Sequence, residues 1–313
     1  MKRLKKISKW FGITLLLLVA ILTVAVAMKQ NEKYNAPYPD IKASADSNVI
    51  NRGKHPVFSS AHCAGCHSNS NSNSLLQPGI EPSLTGGFQF KLEIGNIYSK
   101  NITSDKETGI GKLTDAEIAR TLYYGVRSDG RAMFDFMPFH NVSESDMQAI
   151  ISNLRTQKPV IHKVPENEYN AMGKIVKAFL LEPTGPSGNI PKSMAPDTSV
   201  QYGSYLINSV GNCGGCHTQR DMMTGAYVGE HMAGGNGFNE NGTKFITPNL
   251  TPDSSSRIFG WSYDNFKNRF RMGKLVANTP MPWNSFKLMT DDELKAIYNY
   301  LKTLKPAKLP VKK

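Results

Sequence analysis

Cys63-Ala64-Gly65-Cys66-His67 and Cys213-Gly214-Gly215-Cys216-His217 together hold all four cysteines of this 313-residue chain. Each pair is spaced Cys-x-x-Cys and followed at once by a histidine. The motifs lie 150 residues apart, and the chain around them repeats at nearly the same offset. Gly53 and Gly203 precede the motifs by the same interval. Gly86-Gly87 matches Gly234-Gly235, Asn101-Ile102-Thr103 matches Asn249-Leu250-Thr251, and Asp105 matches Asp253. Ile118, Leu122 and Gly125 match Phe266, Phe270 and Gly273. Met137-Pro138 matches Met281-Pro282, and Ala149-Ile150 matches Ala296-Ile297. An offset that drifts by a few residues at loops while the elements stay in step indicates a duplicated unit.

Each copy reads as short helices joined by long loops. One helix leads into each cysteine motif. Thr114 with Glu117 makes a capping box ahead of Ile118, Leu122 and Tyr123, and Ser262 opens the matching helix. The last helix of each copy begins at Ser143 with Asp146 and at Thr290 with Glu293. The faces Met147-Ile150-Ile151-Leu154 and Leu294-Ile297-Tyr298-Leu301 follow helical spacing. No stretch alternates convincingly as a strand, so the expected class is mainly α. Between the copies, prolines at 159, 165, 183, 186, 191 and 196 exclude a continuous element, though 169–181 can form one helix. The Ser/Asn run 68–74 reads as a flexible loop.

The N-terminus carries five basic residues before Trp10, then nineteen residues without a charge from Trp10 to Met28, about the length that crosses a bilayer as a helix. Basic residues ahead of the span place that end in the cytoplasm and the rest outside. Ala25-Val26-Ala27 also fits a signal-peptide cleavage site, the competing reading. Either way the body of the chain is exported. The net charge of +12 is concentrated in this segment and in the lysines after residue 301, which together hold ten positive charges. No basic-aromatic stripe accompanies them, so a nucleic-acid surface is not expected.

In Cys-x-x-Cys-His the two thiols can add across the two vinyl groups of a haem, and the adjacent histidine is then carried under the ring to bind iron. Cys63, Cys66 and His67 are the attachment set of one haem c; Cys213, Cys216 and His217 are that of a second. A zinc site would need further ligands that no cysteine remains to supply. A thioredoxin-like pair would want a βαβ context, which is missing. Opposite the histidines, Met137 and Met281 are the expected axial ligands. Both precede proline, sit in a loop and fall just before the last helix of their copy. Met133 competes in the first copy, Met272 and Met289 in the second. His55, His62, His140, His162 and His231 could replace methionine, but none recurs in both copies. Asn101-Ile102-Thr103 and its counterpart are either Asx-type turns or haem-propionate partners, readings that are compatible. Arg127 or Arg131 could pair with propionates in the first copy. Histidine opposite methionine closes both axial positions, which suits electron transfer rather than catalysis.

With Cys63–His67, Asn101-Ile102-Thr103, Thr108-Gly109-Ile110-Gly111, the run 125–131 and Met137-Pro138-Phe139 in hand, the chain resembles the class I c-type cytochromes. More narrowly, it is similar to the multihaem cytochrome c subunits of bacterial membrane-bound alcohol, aldehyde and gluconate dehydrogenases. The second copy keeps Cys213–His217, Asn249-Leu250-Thr251 and Met281-Pro282 but lacks the Gly-Ile-Gly and Asp-Gly-Arg runs. The expected organisation is a transmembrane or signal-anchor helix at 1–28 and a periplasmic tether at 29–48, both read from the residues, and a first cytochrome c domain at 49–157, which the resemblance implies. A Pro-rich linker at 158–198, a second domain at 199–306 and a basic tail at 307–313 follow. The resemblance implies a dihaem electron carrier anchored in the bacterial inner membrane with its haem domains in the periplasm. Its partners would be a dehydrogenase, a quinol-oxidising complex or a terminal oxidase. The dehydrogenase subunits typically carry three haem domains, where this chain has two motifs. The reading from another class is a dihaem cytochrome c peroxidase, which would need one iron able to open a site for peroxide.

Overall fold

The computed structural model describes residues 2–68, 76–221, 225–240 and 242–309. The Ser/Asn run, apart from Ser68, and the end of the basic tail lie outside them. Helix α1 (Lys2–Lys29) is the one helix among the described residues long and apolar enough to cross a membrane. It is followed by α2 (Ser47–Phe58), α3 (Cys63–His67), the hairpin β1 (Gln89–Leu92) and β2 (Gly95–Tyr98), α4 (Asp115–Tyr124) and α5 (Glu144–Thr156). Residues 158–198 hold β3 (Glu168–Tyr169) and α6 (Ala171–Phe179). Then come α7 (Val200–Tyr205), continued by a π-turn over Leu206–Val210, α8 (Cys213–His217) and the hairpin β4 (Gly237–Glu240) and β5 (Thr243–Ile246). The last elements are α9 (Tyr263–Arg271), α10 (Trp283–Phe286) and α11 (Asp291–Thr303).

The helices start where the sequence signals them. Thr114 and Thr290 close reciprocal capping boxes with Glu117 and Glu293, and Ser143 and Ser262 accept from the backbone N–H three residues on. Gly125 and Gly273 follow α4 and α9 in the left-handed region.

The hairpins correct the expectation of no strand. Phe88, Phe90, Leu92 and Ile94 do alternate, but the run is too short to stand out from loop sequence, and it pairs antiparallel with β2 while β3 adds to β2. Asn241-Gly242, a strong hairpin signal, separates β4 from β5.

In each half the helix leading into the cysteine motif crosses the last helix of that half, α2 on α5 and α7 on α11. The crossing points are Gly53 and Gly203. A Cβ at Gly53 would lie 1.8 Å from the Ala149 carbonyl oxygen, and one at Gly203 would lie 2.0 Å from that of Ala296. The repeated glycine and the repeated alanine are thus two sides of one contact, where backbone meets backbone. Val57, Met147, Ile151 and Leu154 pack around it in the first half; Leu206, Ile207, Leu294 and Leu301 do so in the second.

The hydrophobic core runs on from one half into the other. Tyr205 donates to the Asp146 carboxylate at 2.7 Å and accepts from Ser143 N–H at 3.0 Å. The His62 ring stands edge-on to Phe286 with centroids 5.3 Å apart. His55 Nε2 lies 2.7 Å from Glu293 Oε2, whose side chain is 6% exposed. Burial pulls the His55 pKa down, but the hydrogen bond and charge of Glu293 outweigh it and raise the pKa above the ordinary 6.5. A raised folded-state pKa stabilises most below the unfolded value and is lost as pH rises through the folded one. The His55–Glu293 pair should therefore make the urea midpoint fall between pH ~6 and pH ~8, a difference that Glu293→Gln should reduce, His140 beside Asp135 supplying the remainder. An unchanged difference in that variant would refute the assignment.

Candidate functional site

The two cysteine motifs have the same local geometry. Each is a short helix preceded by a residue in the left-handed region, His62 (φ 44°) and Asn212 (φ 49°). Asparagine adopts that region readily and histidine less so. No disulfide joins the cysteines of either pair. Burial pushes Cys63 up to about 12, Cys66 up to about 11 and Cys213 up to about 12, and raises Cys216. These are not the low-pKa thiols of a redox pair. Among the described residues no three or more His, Cys, Asp or Glu side chains gather as a metal-ligand cluster.

His67 and His217 are both buried. His67 Nδ1 lies 2.7 Å from the Lys100 carbonyl oxygen, and His217 Nδ1 lies 3.0 Å from that of Pro248. A carbonyl can only accept, so Nδ1 carries the proton and Nε2 keeps its lone pair. Burial lowers both imidazole pKa values against the opposing pull of the carbonyls, which keeps the rings neutral. A neutral imidazole oriented by a carbonyl through one nitrogen is a metal ligand through the other.

The double glycines build this orientation. Gly86 N–H donates to the His67 carbonyl at 2.6 Å, and Gly234 N–H to that of His217 at 2.7 Å. Gly86 and Gly234 have φ of 72° and 76°. A Cβ on Gly86 would lie 2.5 Å from the Lys100 carbonyl, and one on Gly234 would lie 2.7 Å from that of Pro248. Only glycine lets the segment carrying the accepting carbonyl come so close. Sequence reading matched these glycines but missed the carbonyls at 100 and 248. A main-chain acceptor leaves no residue-type signature, and the paired glycines were the signal that could have led to it.

The first half encloses a cavity of about 610 Å³. Cys63, Cys66 and His67 line one side, and Met133, Met137 and Pro138 also line it. Ile102, Leu113, Leu122 and Leu154 supply apolar wall; Lys100, Arg127 and Arg131 add cationic groups. Asp129 pairs with Arg131 at 2.7 Å and with Arg127 at 3.6 Å. The donor set fits a haem: two thiols and an imidazole with Nε2 available, thioethers within the same cavity, apolar wall for the ring and cations for propionates. Met133 and Met137 both reach the cavity, so the cavity alone does not choose between them. Asn212, the residue before Cys213, also lines it, so the second motif begins at the border of the first cavity.

In the second half, Met281 is half-buried against the core together with Cys213. Met272 is 62% exposed and Met289 is packed in the core. Met281-Pro282 repeats the turn of Met137-Pro138: Phe139 N–H donates to the Met137 carbonyl and Trp283 N–H to that of Met281, each at 2.8 Å. Pro282 and Ser285 lie closest to Gly65 of the first motif. Ser285 Oγ and His62 Nδ1 are buried there without a hydrogen-bond partner, and burial pushes the His62 imidazole down to about 4.

The Asn-x-Thr repeats are structural turns. Asn101 Oδ1 accepts from Thr103 N–H and Oγ1, and its amide donates to Thr108 Oγ1 and the Val160 carbonyl. Asn249 does the same with Thr251, Ser255 and Ala307. Each asparagine spends its hydrogen-bonding capacity tying its loop to the chain beyond the last helix, which leaves no amide hydrogen for a propionate. The remaining histidines have protein neighbours: His140 with Tyr123 and Asp135, His162 with Thr85, and His231 beside Thr218 and Tyr300.

The cytochrome c family model matches residues 200–305. The cytochrome c subunit of a quinone-dependent alcohol dehydrogenase from Gluconobacter oxydans is 30% identical over 287 residues, covering 83% of this chain and 55% of its own length. The cytochrome subunit of fructose dehydrogenase from Gluconobacter japonicus is 28% identical over 92% of this chain and 59% of its own. A dihaem cytochrome c-type protein of Cereibacter sphaeroides is 25% identical over 79% of this chain and 83% of its own. The chain thus spans little more than half the length of the first two. These relatives give the peroxidase reading no support. With a cytochrome c domain at 200–305 and homology to cytochrome c subunits over most of its length, the chain belongs to the c-type cytochrome family.

Proposed function

We propose that the chain is a membrane-tethered dihaem cytochrome c that carries electrons in the periplasm from a dehydrogenase toward a quinone-linked or terminal acceptor. In this reading residues 49–157 and 199–306 each hold one haem. Cys63 and Cys66 attach the first, with His67 and Met137 on its iron; Cys213 and Cys216 attach the second, with His217 and Met281. The observation that carries the proposal is the duplicated histidine cradle, in which a glycine pair brings one carbonyl onto Nδ1 and leaves Nε2 for iron. The dehydrogenase partner rests on the relatives, which are subunits of such enzymes.

Haem c supplies a one-electron couple when bound. The chain's own residues hold the imidazole neutral and in one orientation, surround the site with apolar side chains and place cations at its edge. All of these set the potential. Asn212 places the start of the second motif at the border of the first cavity, which supports transfer within one molecule over a diffusional step.

The test is a redox titration with optical spectra, following the far-red band of iron–thioether ligation. Met137→Ala and Met281→Ala should each remove about half of it. If Met133→Ala removes the first half instead, the axial ligand moves by four residues and the rest of the reading stands. If no methionine variant changes the band, the axial assignment is wrong.

A further inference from the structure

Helix α6 has no counterpart in the second half. Met172, Ile175, Val176 and Phe179 fall on one side of it at helical spacing. The other side is seated on the protein: Gly173 is buried where a Cβ would lie 2.1 Å from the Ile94 carbonyl, and Ala178 is buried. The two ends of the apolar stripe therefore point away from the body, with Ile175 and Val176 half-buried between them. Met172 is 54% exposed, Phe179 44% and the adjoining Leu180 49%.

Its neighbour on that side is the end of α1. The two helices pack together, and Ala25 and Val26 are half-covered where residues 21–24 are exposed. Lys29 Nζ lies 5.7 Å from the Phe179 ring centre. Tyr34, just beyond α1, donates to the Leu181 carbonyl at 3.1 Å. The charged residues of α6 are Lys174 and Lys177, with no acid among them. A short amphipathic helix held against the exit turns of a membrane span sits at the depth of the headgroups, where its apolar side meets acyl chain and its lysines meet phosphate.

We propose that α6 is an interfacial foot. The stripe Met172, Ile175, Val176 and Phe179, with Leu180, enters the outer boundary of the bilayer that α1 crosses, and Lys29 and Lys174 contact anionic phospholipid, while Lys177 stays over the Tyr169 ring. This rests on the reading of α1 as a membrane anchor and adds an orientation to it. Gln30, Glu32 and Tyr34 after α1, with Lys177 and Leu181 at the end of α6, line the edge of the first cavity. The foot therefore holds that edge at the membrane surface and the first half next to the bilayer.

The experiment places the photoreactive residue benzoylphenylalanine, one site at a time, at Leu16, Met172, Phe179 and Leu275 in the full chain. Leu275 is an exposed apolar residue of the second half. Each protein is reconstituted in vesicles of phosphatidylglycerol and phosphatidylethanolamine, illuminated and weighed. Phospholipid adducts at 172 and 179 as abundant as at 16, and lost at 275, support the foot. Adducts at 16 without adducts at 172 and 179 overturn the foot and leave the anchor standing. Adducts equally at 275 overturn it as non-selective, and protein cross-links at 172 and 179 assign the stripe to a protein partner instead. No adduct at any site overturns anchor and foot together.

Discussion

Cys63→Ala with Cys66→Ala should remove one haem mass from the denatured chain, and Cys213→Ala with Cys216→Ala should remove the other. Within each pair the thiols stand one helical turn apart beside a buried, oriented imidazole, and no other cysteine exists to substitute. The measurement is the mass of the denatured protein produced with haem-attachment machinery. A parent chain with the mass of bare polypeptide would end the dihaem reading. A single haem, lost with only one pair, would reduce it to a monohaem protein. The first double variant should also destabilise its half, because the apolar wall of the cavity of about 610 Å³ loses the covalent group that would cover it. Its thermal midpoint should fall, and an unchanged midpoint would show that the cavity is not filled by a group that the two thiols hold.

Gly53→Ala and Gly203→Ala should each destabilise the protein by about 3 kcal/mol or more, the upper range for forcing extra volume into a packed contact. Helix propensity alone has the opposite sign: alanine is favoured over glycine by about 1 kcal/mol inside a helix. The added methyl would meet a main-chain carbonyl oxygen at 1.8 Å or 2.0 Å, and backbone cannot swing aside as a side chain can. The crossing must open, and it carries the motif-bearing helix. Gly188→Ala, with nothing within 4 Å of the added carbon, should be near neutral. Urea midpoints of the three variants decide. A gain in stability at 53 or 203 would mean that the helices do not cross there.

How the cofactor chemistry could be read early is clear from particular residues. Cys-x-x-Cys-His constrains itself, because its five residues occupy little more than one helical turn and their side chains stay together whatever the rest of the chain does. Caps behave the same way, since Thr114 and Thr290 find their partners three residues on. The hairpins were harder. Their strands are four residues long, and the alternation over 88–94 is no longer than chance produces in a loop. The Asn-x-Thr repeats showed that something recurred without showing what. Their partners, Val160 and Ala307, lie 59 and 58 residues away, and a carbonyl acceptor has no residue type to betray it.

By itself, then, the sequence determined that the Cys-x-x-Cys-His motif and its flanking residues recur and where the helices begin. These depend on contacts within a few residues. Only the tertiary structure decided that Lys100 and Pro248 orient the two imidazoles, that Gly53 and Gly203 are crossing points, that Asn212 borders the first cavity and that α6 lies against the end of α1. Each joins segments distant in the chain through backbone atoms or shape, and neither leaves a signature in the identity of any one residue.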